Sequence, residues 1–212
     1  DLENYKSKWR KPLINKYKNF EIITMPPPSS GGLHLIQMLN ILESFDIKSL
    51  KHNSPSYVLL LNEVMKYAYA DRSQYLGDPD YVDVPVNKLI SKDYAENISK
   101  KITIDHVTQS DDIKAGMYID LESDETTHFS IADKYGNLVS TTYTLNSSFG
   151  SKVVIAKTGI LMNNEMDDFS SAPGIPNQFG LLGGKFNEIQ PSKRPLSSMT
   201  PTIVFKNNSP FL

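Results

Sequence analysis

Thr126 has the widest chemical options of any residue in this chain. It follows the acidic stretch Glu122-Ser123-Asp124-Glu125 and opens Thr126-Thr127-His128-Phe129-Ser130, where a strand pattern begins. Cutting the Glu125–Thr126 bond would give one residue both a nucleophilic hydroxyl and an α-amine. A free α-amine has a pKa of about 7.7–8.0, so a useful fraction is neutral near pH 7. Such a threonine can activate itself without a histidine. Glu125 and Thr126 are therefore the candidate cleavage site and Thr126 the candidate nucleophile. Strand alternation sends Thr127 to the opposite face.

If Thr126 heads one strand of a hairpin, the returning strand Leu138–Thr144 brings Thr144 and Asn146 beside it. Thr144 can then hydrogen-bond the Thr126 oxygen, and Asn146 offers a donor and an acceptor to a substrate. Thr141, Thr142 and Thr144 also suit a strand on propensity alone. Asn163-Asn164-Glu165-Met166-Asp167-Asp168 is the densest polar cluster after an apolar run. Its carboxylates could bind a divalent cation, act as an acid/base pair, hold a substrate ammonium, or form a solvated turn. Ser197-Ser198 could donate to an anion or belong to a polar turn. His34, His52, His106 and His128 lack metal-like spacing and read as structural, although His128 shares the face of Thr126. Asp78 to Asp83 has the acid spacing of a cation loop. It lacks the glycine and terminal glutamate of an EF-hand and reads as a turn. Gly183-Gly184-Lys185-Phe186 is not a phosphate loop, because no Ser or Thr follows the lysine.

The elements that must hold these residues are legible in outline. Phe20–Thr24 is a strand stopped by Pro26-Pro27-Pro28. Leu35, Ile36, Met38, Leu39, Leu42 and Phe45 repeat at helical spacing. Ser54 with Pro55 starts a second helix to about Arg72, and Ser91 caps a third to about Lys100. A hairpin spans His128–Ala132 and Leu138–Thr144, with Gly136 and Asn137 at positive φ. Val153–Ile155 and Gly159–Met162 are two further short strands. Pro173 to Gly184 is a long surface loop of the kind that covers a site. Thr202–Phe205 is a strand whose turn leads into another at Phe211. Helices followed by antiparallel strands give an α+β order.

Bulk properties exclude several classes. The chain has 212 residues, 39% hydrophobic and 22% charged, with a formal net charge of −2. A nucleic-acid footprint is not indicated. The basic cluster Lys6, Lys8, Arg10, Lys11, Lys16 and Lys18 reads as a solvated face. Absence of cysteine excludes disulfides, thiolate metal sites and cysteine nucleophiles. No run approaches the roughly 18 apolar residues of a membrane span. The truncated look of both ends reads as a fragment.

Taken together, the strings resemble the γ-glutamyltranspeptidase family of N-terminal nucleophile hydrolases. The resemblance rests on Thr126-Thr127-His128-Phe129-Ser130, Tyr143-Thr144-Leu145-Asn146, Asn163 to Phe169, Gly180 to Gly184 and Arg194 to Met199. Trp9 to Pro12, Pro27 to Gly32 and Tyr69 to Arg72 match as well. It implies an αββα four-layer sandwich, two antiparallel sheets between helices, present here incompletely. Residues 1–125 would end a helix-rich large subunit and residues 126–212 start a strand-rich small one, together one domain. Autocatalytic cleavage before Thr126 would yield the active form. Thr126 would attack a γ-glutamyl amide, that of glutathione by preference, with Thr144 orienting its hydroxyl. Asn146, Glu165 and Asp168 would receive the α-amino group, and Ser197 and Ser198 the α-carboxylate. Water or an amino acid or dipeptide would accept the acyl group, and no cofactor is implied.

The resemblance also sets Phe179 at a lid position often held by tyrosine. The oxyanion glycines would lie past Leu212 and a substrate arginine before Asp1, so this stretch is expected to be inactive alone. The remaining segments of the precursor would be its partners, and the location periplasmic or secreted. Two alternatives stay open: an enzyme acting on poly-γ-glutamate or other acyl amides, and a non-catalytic γ-glutamyl-binding homologue.

Overall fold

The strand pair β1 (Leu13–Tyr17) and β2 (Phe20–Thr24) meets through a two-residue turn in which Lys18 takes φ +54°. In the computed structural model, which describes residues 2–113, 126–172 and 175–211, β2 also pairs with β5 (Thr202–Lys206). A turn at Asn207 and Asn208, both at positive φ, returns β5 into β6 (Ser209–Pro210). The antiparallel order is β1-β2-β5-β6. A second antiparallel sheet consists of β3 (Thr127–Ala132) and β4 (Leu138–Tyr143). The chain is thus α+β with two antiparallel sheets and helices. Pairing of β2 with β5 joins segments on either side of residue 126 in one sheet.

Among the described residues four α-helices lie between β2 and β3 in the chain. α1 (Gly31–Leu42) lies against β1, β2 and α2 (Pro55–Tyr75). Ser54 accepts the Tyr57 N–H and Pro55 occupies the first turn, where its missing donor costs nothing. A short α3 (Val86–Leu89) precedes α4 (Lys92–Ser99), whose cap Ser91 accepts the Tyr94 N–H. Ile41, Leu42, Leu60, Val64, Ala95, Ile98 and Ile102 form one buried cluster among α1, α2 and α4. Leu33, Leu76, Val84, Leu89 and Leu196 form another. Leu196, 1% exposed, anchors the Ser197-Ser198 pair on that core.

Several sequence expectations need correction. The hairpin turn has only Gly136 at positive φ (+88°), because Asp133 accepts the N–H groups of both Tyr135 and Asn137 and fixes the turn itself. Val153–Ile155 and Gly159–Met162 form no strands but a narrow ribbon with one bridge, Val154 to Leu161. Positive φ at Lys152, Lys157 and Gly159 interrupts it, and its apolar side chains other than half-buried Leu161 are exposed. The basic cluster is not wholly solvated. Lys8 and Arg10 pair with Asp80, and Arg10 also reaches the fully buried Asp78, which accepts the Arg194 N–H at 2.9 Å. The Asp78 turn therefore holds the segment leading into Leu196.

α2 buries charge as well as apolar surface. Glu63 is fully buried and pairs with Lys66 one turn on; Lys66 donates to the Thr108 carbonyl at 2.7 Å, and Thr108 N–H donates to Glu63 at 3.2 Å. Removing one partner of a buried pair strands the other charge, at about 3–5 kcal/mol. Lys66→Met in the full precursor is expected to lower stability by about that amount, seen as a shifted urea midpoint.

Candidate active site

The β3–β4 ladder ends at the pair Thr127–Tyr143, so the same register carried one residue further sets Thr126 opposite Thr144. Thr126 is exposed. Glu125, the other half of the candidate cleavage site, lies outside the described residues. The hydroxyl of Thr144 does not bond Thr126 here; it accepts the Asn146 N–H at 2.9 Å. That bond closes a tight turn after β4, in which Asn146 takes φ +75° and is buried. Asparagine tolerates this backbone better than most residues.

Asn164 then ties that turn to the acidic cluster. Its carbonyl accepts from the Asn146 side chain at 3.2 Å, its own side chain accepts the Ser147 N–H at 3.0 Å, and its N–H donates to the Leu145 carbonyl. Directly after it, Glu165–Asp168 form a 3-10 turn. Glu165 and Asp168 share a hydrogen bond, and burial, followed by the Asp168 charge, pushes the Glu165 carboxyl up to about 7. Burial raises Asp168 too, while Glu165 and Arg72 pull it back. Both carboxyls are thus harder to ionise than free ones. A solvated turn would not behave so. Among the described residues no cluster of three His, Asp or Glu side chains could hold a metal ion.

The described part of the 173–184 loop docks on this cluster. Gln178 N–H donates to Asp167 at 2.9 Å, and Asn177 accepts the N–H groups of half-buried Phe179 and of Leu181. Pro173 and Gly174 lie outside the described residues. A Cβ on Gly183 would fall 1.9 Å from Ser170 Oγ, so any larger residue there must turn that hydroxyl aside.

Ser197 and Ser198 sit across from the start of α1. Ser29 and Ser197 form a parallel bridge, Ser30 N–H donates to the Ser197 carbonyl at 2.8 Å, and Ser197 N–H donates to the Pro28 carbonyl at 2.9 Å. Asn187 links this segment to the acidic turn, donating to the Asp168 carbonyl at 2.6 Å and accepting the Leu196 N–H at 3.1 Å. Between the two lies Arg72, wholly buried, with Nε donating to Ser30 Oγ at 3.3 Å and its charge acting on Asp168. The start of α1 approaches so closely that a Cβ on Gly31 would meet Ser198 O at 2.7 Å and Thr200 Oγ1 at 1.9 Å. Gly31→Ala is expected to displace residues 198–200 and cost about 1–3 kcal/mol, read from thermal or urea unfolding.

Sequence reasoning matched Ser30, Arg72 and Asn164 within strings but gave them no role, and it did not see Asn187. The one signal for Arg72 is its place beside Asp71 near the end of the Pro55–Tyr75 helix. His34, His52 and His128 have partners within the fold. His34 is buried against Tyr69 and held well below its usual pKa, near 3, by burial and the Arg72 charge; His128 bonds Thr142 at 2.7 Å. No described hydrogen bond joins Thr126 to either the carboxyl or the serine cluster.

The gamma-glutamyltranspeptidase family pattern matches residues 1–212. The chain belongs to the γ-glutamyltranspeptidase family. It is 50% identical over its whole length to the glutathione hydrolase proenzyme of Escherichia coli K12. It is 42% identical over 206 residues to the Acylase ACY 1 proenzyme of Pseudomonas sp. SE83, covering 97% of this chain. It spans 37% and 34% of those relatives' lengths. Among solved structures, a cephalosporin acylase from Bacillus halodurans matches over 99% of this chain and 34% of that one, with TM-score 0.75 at 26% identity. A Helicobacter pylori gamma-glutamyltranspeptidase matches over 55% of this chain and 34% of its own, with TM-score 0.52 at 50% identity. Both family and fold agree with the expectation from sequence.

Proposed function

We propose that these residues belong to a precursor that cleaves itself before Thr126 and then transfers or hydrolyses γ-glutamyl groups. The observation that carries this reading is the pairing of opposite chemistries around Arg72. Two carboxyls lie on one side and a hydroxyl pair on the other, which suits the ammonium and carboxylate of one α-amino acid head. Fixed complementary charges select and orient such a zwitterion. Asn146, two residues beyond Thr144, supplies a further polar contact to the ammonium end.

Catalysis on this reading runs through Thr126 alone. Its freed α-amine takes the hydroxyl proton as Oγ attacks the γ-carbonyl carbon. The amide C–N bond breaks and the proton passes to the leaving amine, giving an ester on Thr126. Water then yields glutamate, or an amino acid or dipeptide amine yields a new γ-glutamyl amide. In maturation the same oxygen attacks the Glu125 carbonyl carbon, the C–N bond breaks to free the Thr126 amine as the ester forms, and water then hydrolyses that ester to the Glu125 carboxylate and the Thr126 hydroxyl. Thr144 orients the hydroxyl after maturation, when the new terminus can settle against it.

A chromogenic γ-glutamyl anilide assay on the full precursor tests this. Release of the aniline from the γ-glutamyl compound, and none from its glutaryl counterpart lacking the α-amine, supports it. Equal turnover of both removes the ammonium site. Resemblance to acylase proenzymes favours a second reading, an amidase for other acyl groups, and preference for the glutaryl compound would establish that one.

A further inference from the structure

We propose that Ser30 and Arg72 are positioning residues that aim the Ser198 hydroxyl at the donor's carboxylate; this rests on the γ-glutamyl reading above. The argument follows the direction of each hydrogen bond. An arginine Nε–H can only donate, so Arg72 fixes Ser30 Oγ as its acceptor at 3.3 Å. The Ser30 hydroxyl must then send its own proton elsewhere. It donates to the Ser197 carbonyl at 3.0 Å and toward Ser198 Oγ at 3.4 Å. That single proton lies chiefly on the Ser197 carbonyl, and its weaker branch reaches Ser198 Oγ, which can accept it and keep its own proton for a group outside. Ser198 is exposed, so that group can be a ligand anion.

Ser197 is placed differently. Its Oγ accepts the Met199 N–H at 3.0 Å, and its neighbour Ser29 donates to the Met199 carbonyl at 2.6 Å. The Ser29 oxygen, 3.4 Å away, is then a ready acceptor for the Ser197 proton. The two adjacent serines therefore differ: Ser198 is the better outward donor. The head of the relay is a buried positive charge, and bonds headed by an ion are roughly twice as strong as neutral ones.

Ser30 does not spend its hydroxyl on the helix. It is the N-cap of α1, yet its side chain makes no capping bond, and it is wholly buried. A cap that bonds forward to Arg72, Ser197 and Ser198 instead of back to its own helix is held there for the site.

The test measures inhibition constants of glutamate and 4-aminobutyrate, which lacks the α-carboxylate, on the matured full-length protein. Ser30→Ala is expected to weaken glutamate about tenfold, the loss of one charge-headed hydrogen bond, and to leave 4-aminobutyrate within twofold. Ser30→Thr, which keeps the hydroxyl, is expected to restore glutamate. Ser30→Gly serves as a second deletion, since glycine is tolerated at an N-cap. Ser198→Ala is run in parallel. If it discriminates the two ligands and Ser30→Ala does not, the relay fails while the carboxylate site stands. If Ser198→Ala weakens both alike, the underlying reading fails. Equal weakening of both ligands by Ser30→Ala marks a purely structural role and overturns the proposal.

Discussion

Thr126→Ala in the full precursor is expected to give an uncleaved chain with turnover reduced by on the order of 10⁴-fold or more. The size follows from the double use of one side chain. The same oxygen opens the Glu125 carbonyl and the donor amide, so its removal stops maturation before catalysis can be asked for. Thr126→Ser separates the two uses. It keeps an oxygen and an α-amine, so cleavage should proceed more slowly and some turnover should remain. Mass spectrometry of the purified protein reads the cleavage, and anilide release reads the turnover. Full cleavage in Thr126→Ala would move the scissile chemistry to another residue.

Asp168→Ala is expected to lower kcat/KM for γ-glutamyl donors by about 10²-fold or more, chiefly through KM. Truncating one member of a charge pair that is desolvated on binding costs about 2–5 kcal/mol. Its partner gives the loss a pH signature. Glu165, pushed up to about 7 by burial and by the Asp168 charge, keeps its proton on the acid side. A substrate ammonium binds best when both carboxyls are ionised, so kcat/KM should rise with pH through about 7. Glu165→Gln removes that rise and leaves the one due to the Thr126 amine, whose reference pKa is about 7.7–8.0. Stability runs the other way. Glu165 has its folded pKa above its ordinary value of 4.5, so the fold binds more protons than the unfolded chain between about pH 4.5 and 7. That stabilisation is complete below the window and lost as pH rises through it. Glu165→Gln should flatten thermal stability across the same range.

What could be read from the sequence is what local chemistry dictates. Ser54-Pro55 and Ser91 are found because a cap and its N–H partner lie three residues apart. The hairpin is found because alternation runs on both sides of Tyr135-Gly136. β1 is hard to read because Leu13 and Ile14 are adjacent, Asn15 and Lys16 follow them, and Lys11 and Lys18 flank a stretch that reads as charged surface; α3 is hard to read because four residues carry no helical period. The site divides along the same line. Glu165 and Asp168 are legible through one dense polar string, and Asn146 through the end of the hairpin that returns beside Thr126. The role of Arg72 is not, because its meaning lies in Ser30, 42 residues earlier, and in Asp168, far downstream. Asn187 is likewise one asparagine among many until the fold sets Asp168 and Leu196 on either side of it.

The most direct measurement is peptide mapping of the purified full precursor after reaction with an electrophilic glutamine analogue. The account predicts a new chain terminus at Thr126 and a single adduct on that same residue. An active protein left uncut between Glu125 and Thr126, or an adduct on any other side chain, contradicts it.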